Sequence, residues 1–333
     1  MHSDTTARRW RSRPAVGILT ACATALAVTV SAPAYGAQTA RQPSPSLANA
    51  PVSGRLVSGA VFGSAARNAA GQAATGFVQA HQSMLDASRA ATGSATAPGS
   101  ATSQASQLHD WWGSFPDTNS GTGVIATQSV SSTLRLSNGN DILYAPTMKP
   151  ADGSCIEVVT VHTTSTPQVW AWDWCGSVAP AAEVNVNSGF LSKYTTTVNG
   201  RSAYTTAEVQ TDASTNTWTA YLYDYATQAW DTLFTSSGTD QSGLSYGWDM
   251  FEFYSTVNSG TGETYVCSDL QKSGTSIESS SIQIDSGGTW SPAGPGDSAW
   301  MPSASPNPSS YKCPDMQFDI VANDSDWLVD VAG

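Results

Sequence analysis

Positive charge is scarce in this chain: 14 Lys and Arg stand against 26 Asp and Glu in 333 residues, with four His, for a net charge of −12. Such a surface offers no cationic face to a phosphate backbone or an anionic membrane, so neither nucleic acid nor membrane is expected as a partner. Cysteine is also sparse, five in all, and CxxC, HExxH and calcium-loop patterns are missing, so no metal and no other cofactor is expected. GxSxG is absent as well. A Ser-His-Asp site in the Trp-rich part would therefore depend on His162, or on His109 at its start, and His162 beside a polar Thr turn reads as a solvated strand end. No repeat is visible, which argues against a propeller or solenoid.

What is present divides the chain in three. Residues 1–34 have the form of a secretory signal peptide: Arg8, Arg9, Arg11 and Arg13, an apolar run from Ala15 to Val30, then Ala32-Pro33-Ala34 as a small-residue cleavage site. Leu19-Thr20-Ala21-Cys22 has the outline of a lipoprotein box, but the apolar run before Cys22 is short and continues past it. Cleavage would take four of the 14 Lys and Arg and one of the 26 Asp and Glu, leaving 10 against 25 on a secreted, extracellular protein with no membrane span.

Residues 35–107 are rich in Ala, Ser, Thr, Gly, Gln and Pro and contain no Trp. With little but Val61-Phe62, Phe77-Val78 and Met84-Leu85 to build a core from, they read as a largely disordered pro-segment or linker, with one or two Ala-rich helices possible over Ser58–Ala91.

From residue 108 the character changes. Of the 12 Trp, all but Trp10 fall in 108–333, where short runs of Val, Ile, Thr, Tyr and Trp alternate with Gly, Ser, Asn and Pro. That pattern, without long helical periodicity, predicts an all-β sandwich of about 225 residues. The clearest hairpin is Thr217–Tyr225 with Ala229–Ser236; strands are also expected at Glu183–Phe190 and Thr264–Ser268, and Gly287–Pro314 as a long Pro-rich surface loop. Four cysteines remain after cleavage, an even count that favours two disulfides with three possible pairings. The simplest is Cys155–Cys175 with Cys267–Cys313, because the first would bridge neighbouring strands across the Thr163–Pro167 turn.

The centre of the domain is the run Gln168-Val169-Trp170-Ala171-Trp172-Asp173-Trp174-Cys175-Gly176. Strand alternation puts Trp170, Trp172 and Trp174 on one face, as the floor of a binding groove or a heavy piece of core. Tyr221, Tyr223 and Tyr225 share a face of the hairpin, and Trp248 leads another aromatic cluster, whereas Trp218, Phe251 and Phe253 read as core. Ring faces of this kind pack against pyranose rings, and Trp170, Trp172, Trp174, Tyr223 and Trp248 are the candidate ligand-binding residues. Strand acids are the other candidates: Glu157, Asp173, Glu183, Glu208, Asp249 and Glu252. Hydrolysis would need two facing carboxyls, and Glu157 with Glu208 or Glu252 is the expected set.

The order of motifs in residues 111–285 resembles the glutamic peptidases. Trp111–Gly113 followed by Gly123-Val124-Ile125-Ala126-Thr127 looks like their opening strand pair, Asp152-Gly153-Ser154-Cys155 is similar to their Asp-Gly-x-x-Cys segment, and Val169–Trp174 resembles their Ala-Trp-Tyr-Glu-Trp-Tyr strand. Gly247-Trp248 with Glu252 resembles Glu-Trp-Ile-Val-Glu, whose first glutamate is catalytic in that family. The resemblance implies a concanavalin-like jelly roll of two seven-stranded sheets, with the Trp strand in the sheet that borders the groove. Its catalytic residues do not carry over. The glutamine position falls on Val161, or on His162 if aligned from Asp152, and the glutamate position falls on Gly247.

The expected function is recognition of a polysaccharide or other extended extracellular polymer, without catalysis. An extracellular hydrolase, either a glycosidase or an atypical acid peptidase, is the alternative. An inhibitor or partner of a secreted enzyme, using the Gly287–Pro314 loop, is the third.

Overall fold

The computed structural model describes residues 45–91, 107–115, 121–151, 153–242, 247–294, 306–322 and 325–332. The signal-like residues 1–34 lie outside them. Among the described residues, seventeen strands and three helices follow in order: β1 Val52–Leu56, β2 Val61–Phe62, α1 Ser64–Ala91, β3 Leu108–Ser114, β4 Gly123–Ser129, β5 Ile142–Lys149, β6 Ile156–His162, β7 Gln168–Asp173, β8 Ser177–Asn185 and α2 Ser188–Tyr194. Then come β9 Thr195–Val198, β10 Arg201–Asp212, β11 Thr217–Asp224, β12 Ala229–Ser237, β13 Trp248–Ser255, α3 Tyr265–Ser273, β14 Ile277–Ser286, β15 Thr289–Pro292, β16 Met316–Ala322 and β17 Asp326–Val331.

The strands form the expected all-β jelly-roll sandwich, with sheets of ten and seven strands where the resemblance implied seven and seven. The larger runs β1-β12-β11-β10-β4-β14-β17-β16, with β9 and β15 attached; the smaller runs β2-β8-β7-β6-β5-β13-β3. Between the layers lie two apolar clusters. One holds Trp112, Leu143, Phe251, Phe253, Ile282 and Trp327; the other holds Val158, Val169, Ala171, Phe190, Tyr204, Trp218 and Leu222. Trp218, Phe251 and Phe253 are thus core, as their strand positions predict.

The Cys155–Cys175 bridge joins the start of β6 to the end of β7, and Cys267–Cys313 ties α3 to the segment before β16. The latter anchors the Pro-rich stretch, part of which departs from the expected loop by pairing as β15 with β14; residues 295–305 of it lie outside the described residues.

Of two further expected strands, Glu183–Phe190 is strand only to Asn185 and Thr264–Ser268 is helical. Residues after Asn185 turn into α2, whose Asn187 side chain accepts the Phe190 amide proton as N-cap. At 264–268 the run Thr-Tyr-Val-Cys reads as strand by propensity, but Thr264 caps α3, Val266 and Leu270 point into the core four residues apart, and Gly274 closes it at φ 62°. Burial of one helical stripe overrides a β-branched and aromatic composition.

The larger departure lies in the low-complexity segment, where residues 45–91 are built into the sandwich. β1 runs parallel to β12 at the edge of the ten-stranded sheet, and β2 pairs with β8 at the edge of the seven-stranded one. Arg55 holds β1 in place through the buried carboxylates of Asp224, at 3.3 Å, and Asp231, at 3.0 Å. The Ala-rich α1 then crosses the outward face of the smaller sheet, packing on β8 and β2.

Candidate functional site

In β7, Val169 and Ala171 point between the layers, so Trp170, Trp172 and Trp174 point outward, away from the inter-sheet core. They nonetheless do not meet solvent. All three are almost fully buried, because α1 lies over them with Ala70, Ala74 and Phe77. The Phe77 ring centroid is 4.6 Å from those of both Trp172 and Tyr144. Trp172 and Trp174 stack at 5.8 Å, and Trp170 meets Trp172 edge-on at 6.1 Å. The expectation of an open aromatic row is therefore corrected by a helix whose formation the Ala-rich composition allowed but whose docking on the sheet it did not reveal.

Glu157 shares this face, directly across from Trp172 in the β6–β7 ladder. Its carboxyl accepts hydrogen bonds from the Thr147 hydroxyl, from Trp174 Nε1 at 3.1 Å and from Trp248 Nε1 at 3.3 Å. Burial pushes its pKa up to about 8, the hydrogen bonds oppose this, and the nearby Glu252 carboxylate adds to the rise. Lys149, also buried, lies 5.3 Å over the Trp248 ring and 3.5 Å from Asp240; burial lowers its pKa, and Asp240 and Glu157 pull it back up.

Toward the β3 edge, Glu252 and Tyr254 point outward while Phe251 and Phe253 point inward. Glu252 Oε1 is 2.7 Å from His109 Nε2 and accepts the Tyr254 hydroxyl at 2.7 Å. The His109 ring stacks on Tyr254 at 4.1 Å, and neighbouring Trp111 is exposed. Glu157 and Glu252 thus lie on one face, as a carboxyl pair requires.

Other candidates are dispersed. Glu208 is not across a groove from Glu157: it lies between the layers and accepts the Val158 amide proton at 3.1 Å, with its pKa raised by burial. Tyr223 packs with Trp230, Tyr221 and Ile125 on the far face of the ten-stranded sheet, so it cannot join the Trp row. Asp249 is interlayer, held by Gln128, Ser279 and Trp327. Asp173 meets its desolvation cost through the Ser236 hydroxyl and the amides of Cys175 and Gly176. His162 is not solvated; burial lowers its pKa to about 4 against the opposing pull of the Leu134 carbonyl and keeps it neutral.

Two buried polar atoms on the outward face have no hydrogen-bond partner among the described residues, Trp172 Nε1 and Glu183 Oε2. Glu183 faces Trp170 across the β7–β8 ladder, and burial pushes its pKa to about 7. Leaving such groups unpaired costs about 1–3 kcal/mol each.

Among the described residues no group of three or more His, Cys, Asp or Glu is placed to hold a metal, and no helix is long and apolar enough to cross a membrane. Sequence reasoning singled out neither Thr147 as a partner of Glu157 nor Phe77 as a cover for the indoles. The i, i+3 spacing of Ala74 and Phe77 in an Ala-rich run was the available signal for the second.

These observations define an all-β, two-sheet protein with an aromatic, carboxyl-bearing outward face. Two solved structures similar to this chain are of scytalido-glutamic peptidase, one with a peptide-based transition state analog and one with a transition state analog inhibitor. They are 12% and 13% identical with TM-scores of 0.38 and 0.39, each match covering 68% of this chain and 100% of the other. No protein-family model and no curated protein matches the chain. The likeness is distant, in keeping with the resemblance in motif order.

At Gly247, where that resemblance would put a glutamate, no side chain fits. A Cβ there would lie 2.5 Å from the Lys149 carbonyl oxygen and 2.6 Å from the Ala151 nitrogen. The glutamate is excluded by backbone packing.

Proposed function

We propose that this is an exported binding protein whose site is the outward face of the seven-stranded sheet, and that its ligand is a glycan or another extended, hydroxyl-rich polymer. One observation carries this reading: an indole row on an outward face that includes a buried donor, Trp172 Nε1, and a buried acceptor, Glu183 Oε2, neither of them paired among the described residues. With α1 displaced from the indoles it covers, sugar rings laid on them would bring hydroxyls to both atoms, replacing an unmet hydrogen-bonding demand. Export is supported by the form of residues 1–34 and by the two disulfides.

The test is retention of the full chain on insoluble cellulose, chitin and xylan, compared with Trp172→Ala and Glu183→Gln. Loss of retention in both variants, with thermal unfolding still cooperative, is the expected result. No retention of the native chain on any of these, or on a wider polysaccharide array, would sink the reading.

A second reading, acid hydrolysis, is favoured by Glu157 and Glu252 on the same face. A carboxyl that holds its proton to about pH 8 suits a general acid. Hydrolysis of labelled polysaccharides or proteins that disappears in Glu157→Gln and in Glu252→Gln would favour this reading over pure binding.

A further inference from the structure

Residues 45–91 meet the sandwich first through two edge strands and then through a helix. At one end β1 is hydrogen-bonded to β12 and pinned by Arg55 to Asp224 and Asp231, and β2 is paired with β8. The helix that follows breaks its own geometry at Gly71, where φ is 54° and ψ is −131°. A Cβ at Gly71 would meet nothing within 4 Å, so glycine is required there by backbone conformation and not by crowding.

Beyond Gly71, the described side chains that pack on the sheet are Ala74 and Phe77, with Ala73 and Val78 partly buried beside them. Ala74 and Phe77, on the far side of the break, pack against the same outward-face cluster as Ala70, and the alanines add little apolar area. Phe77 is the one large fully buried side chain described in the helix, seated among Tyr144, Trp172, Trp174 and Tyr254. The Tyr144 hydroxyl donates to the Ala73 carbonyl at 3.3 Å. Trp172, which meets Phe77, has no hydrogen-bond partner for its Nε1 among the described residues, and Glu183 Oε2 on the same outward face has none either.

We propose that the part of α1 beyond Gly71 is a lid, latched by Phe77, that shuts the outward face and lifts by rotation at Gly71 while β1, β2 and the helix up to Ala70 stay in place. The lid has a purpose only if that face binds something, as proposed above, but its motion is a property of the chain alone. In the closed state the indole row is inaccessible; a ligand that pairs the two buried polar atoms competes with the helix for the same surface.

The test uses no ligand. In the full chain, Ala74→Cys places a thiol under the lid and Ala220→Cys places one between the layers, and labelling by N-ethylmaleimide is read for each peptide by mass spectrometry. The lid predicts that Cys at 74 reacts about 100-fold faster than Cys at 220, because local opening precedes global unfolding. Adding Phe77→Ser should raise the rate at 74 about tenfold further and leave 220 unchanged. Equal rates at the two positions, both before and after Phe77→Ser, would overturn the proposal and make α1 ordinary core.

Amide exchange of the unsubstituted chain gives an independent reading should a cysteine variant fold badly. Helix amides beyond Gly71 are expected to exchange faster than those of Ser64–Ala70 and of β7; protection uniform across Gly71 and equal to that of β7 would also overturn it. Failure of polysaccharide retention alongside fast labelling at 74 would remove the ligand and keep the lid.

Discussion

Phe77 and Trp172, 95 positions apart in sequence, meet with ring centroids 4.6 Å apart and planes tilted by 34°. That contact joins the segment with the weakest sequence signal to the one with the strongest. It also explains why β6 and β7 are buried on both faces: the second sheet covers one side and the helix the other.

Indoles on the two faces should respond differently to removal. Trp218 lies in the interlayer core, so Trp218→Ala should cost about 3–5 kcal/mol of global stability. Trp172→Ala should mainly loosen α1, leaving the sandwich folded. Urea denaturation followed by far-UV circular dichroism checks the first, and amide exchange in α1 checks the second. Equal losses of global stability would place both rings in one cooperative core.

Stability should fall as pH rises from about 4 to about 8. Glu157, Glu183 and Asp249 are raised from ordinary values of 4.5, 4.5 and 3.8 to about 8, 7 and 6 by burial. Each binds its proton more tightly folded than unfolded. Their contribution is full below the unfolded values and is lost as pH passes through the folded ones. Denaturation midpoints at pH 4.5, 6 and 8 measure the slope, and Glu157→Gln should flatten its upper part. A midpoint that climbs across this range would contradict the assignment.

Gly247→Ala should destabilise by about 1–3 kcal/mol, since even a methyl group collides with the β5 backbone end. Gly247→Glu should be worse and should bring no proteolytic activity. Thermal melts and a casein assay at acid pH cover both outcomes; a stable, active Gly247→Glu would mean the backbone yields there.

The Cys267–Cys313 bridge closes a sequence separation of 46 residues, which corresponds to about 4 kcal/mol in the chain-entropy account. The double variant Cys267→Ser, Cys313→Ser should lose stability on that scale in urea. It should also release the segment around Tyr311, whose hydroxyl donates to the Trp111 carbonyl at 2.9 Å. Protease sensitivity near residue 311 without a change in β6 or β7 would show that the release is local.

Much of the sandwich was legible because its signals are local. Alternation from Gln168 to Trp174 put three indoles on one face, and the β11–β12 hairpin emerged close to its expected bounds. The strand spacing also favoured the cysteine pairing that the structure contains. Glu208 and Tyr223 were misplaced for a shared reason: alternation says which residues share a face, but not which way that face points.

Sequence alone determined the class of this protein, since β-branched and aromatic runs with period two and turn residues between them can bury their apolar surface only by stacking sheets. Tertiary structure alone decided what the indoles touch. Ala70, Ala74 and Phe77 are too few to mark a core element by composition, and their spacing gains meaning only where the opposite surface is a bed of rings. Local pattern fixes which side chains stand together; the long-range closure of residues 64–78 over β7 fixes whether they meet water, helix or ligand.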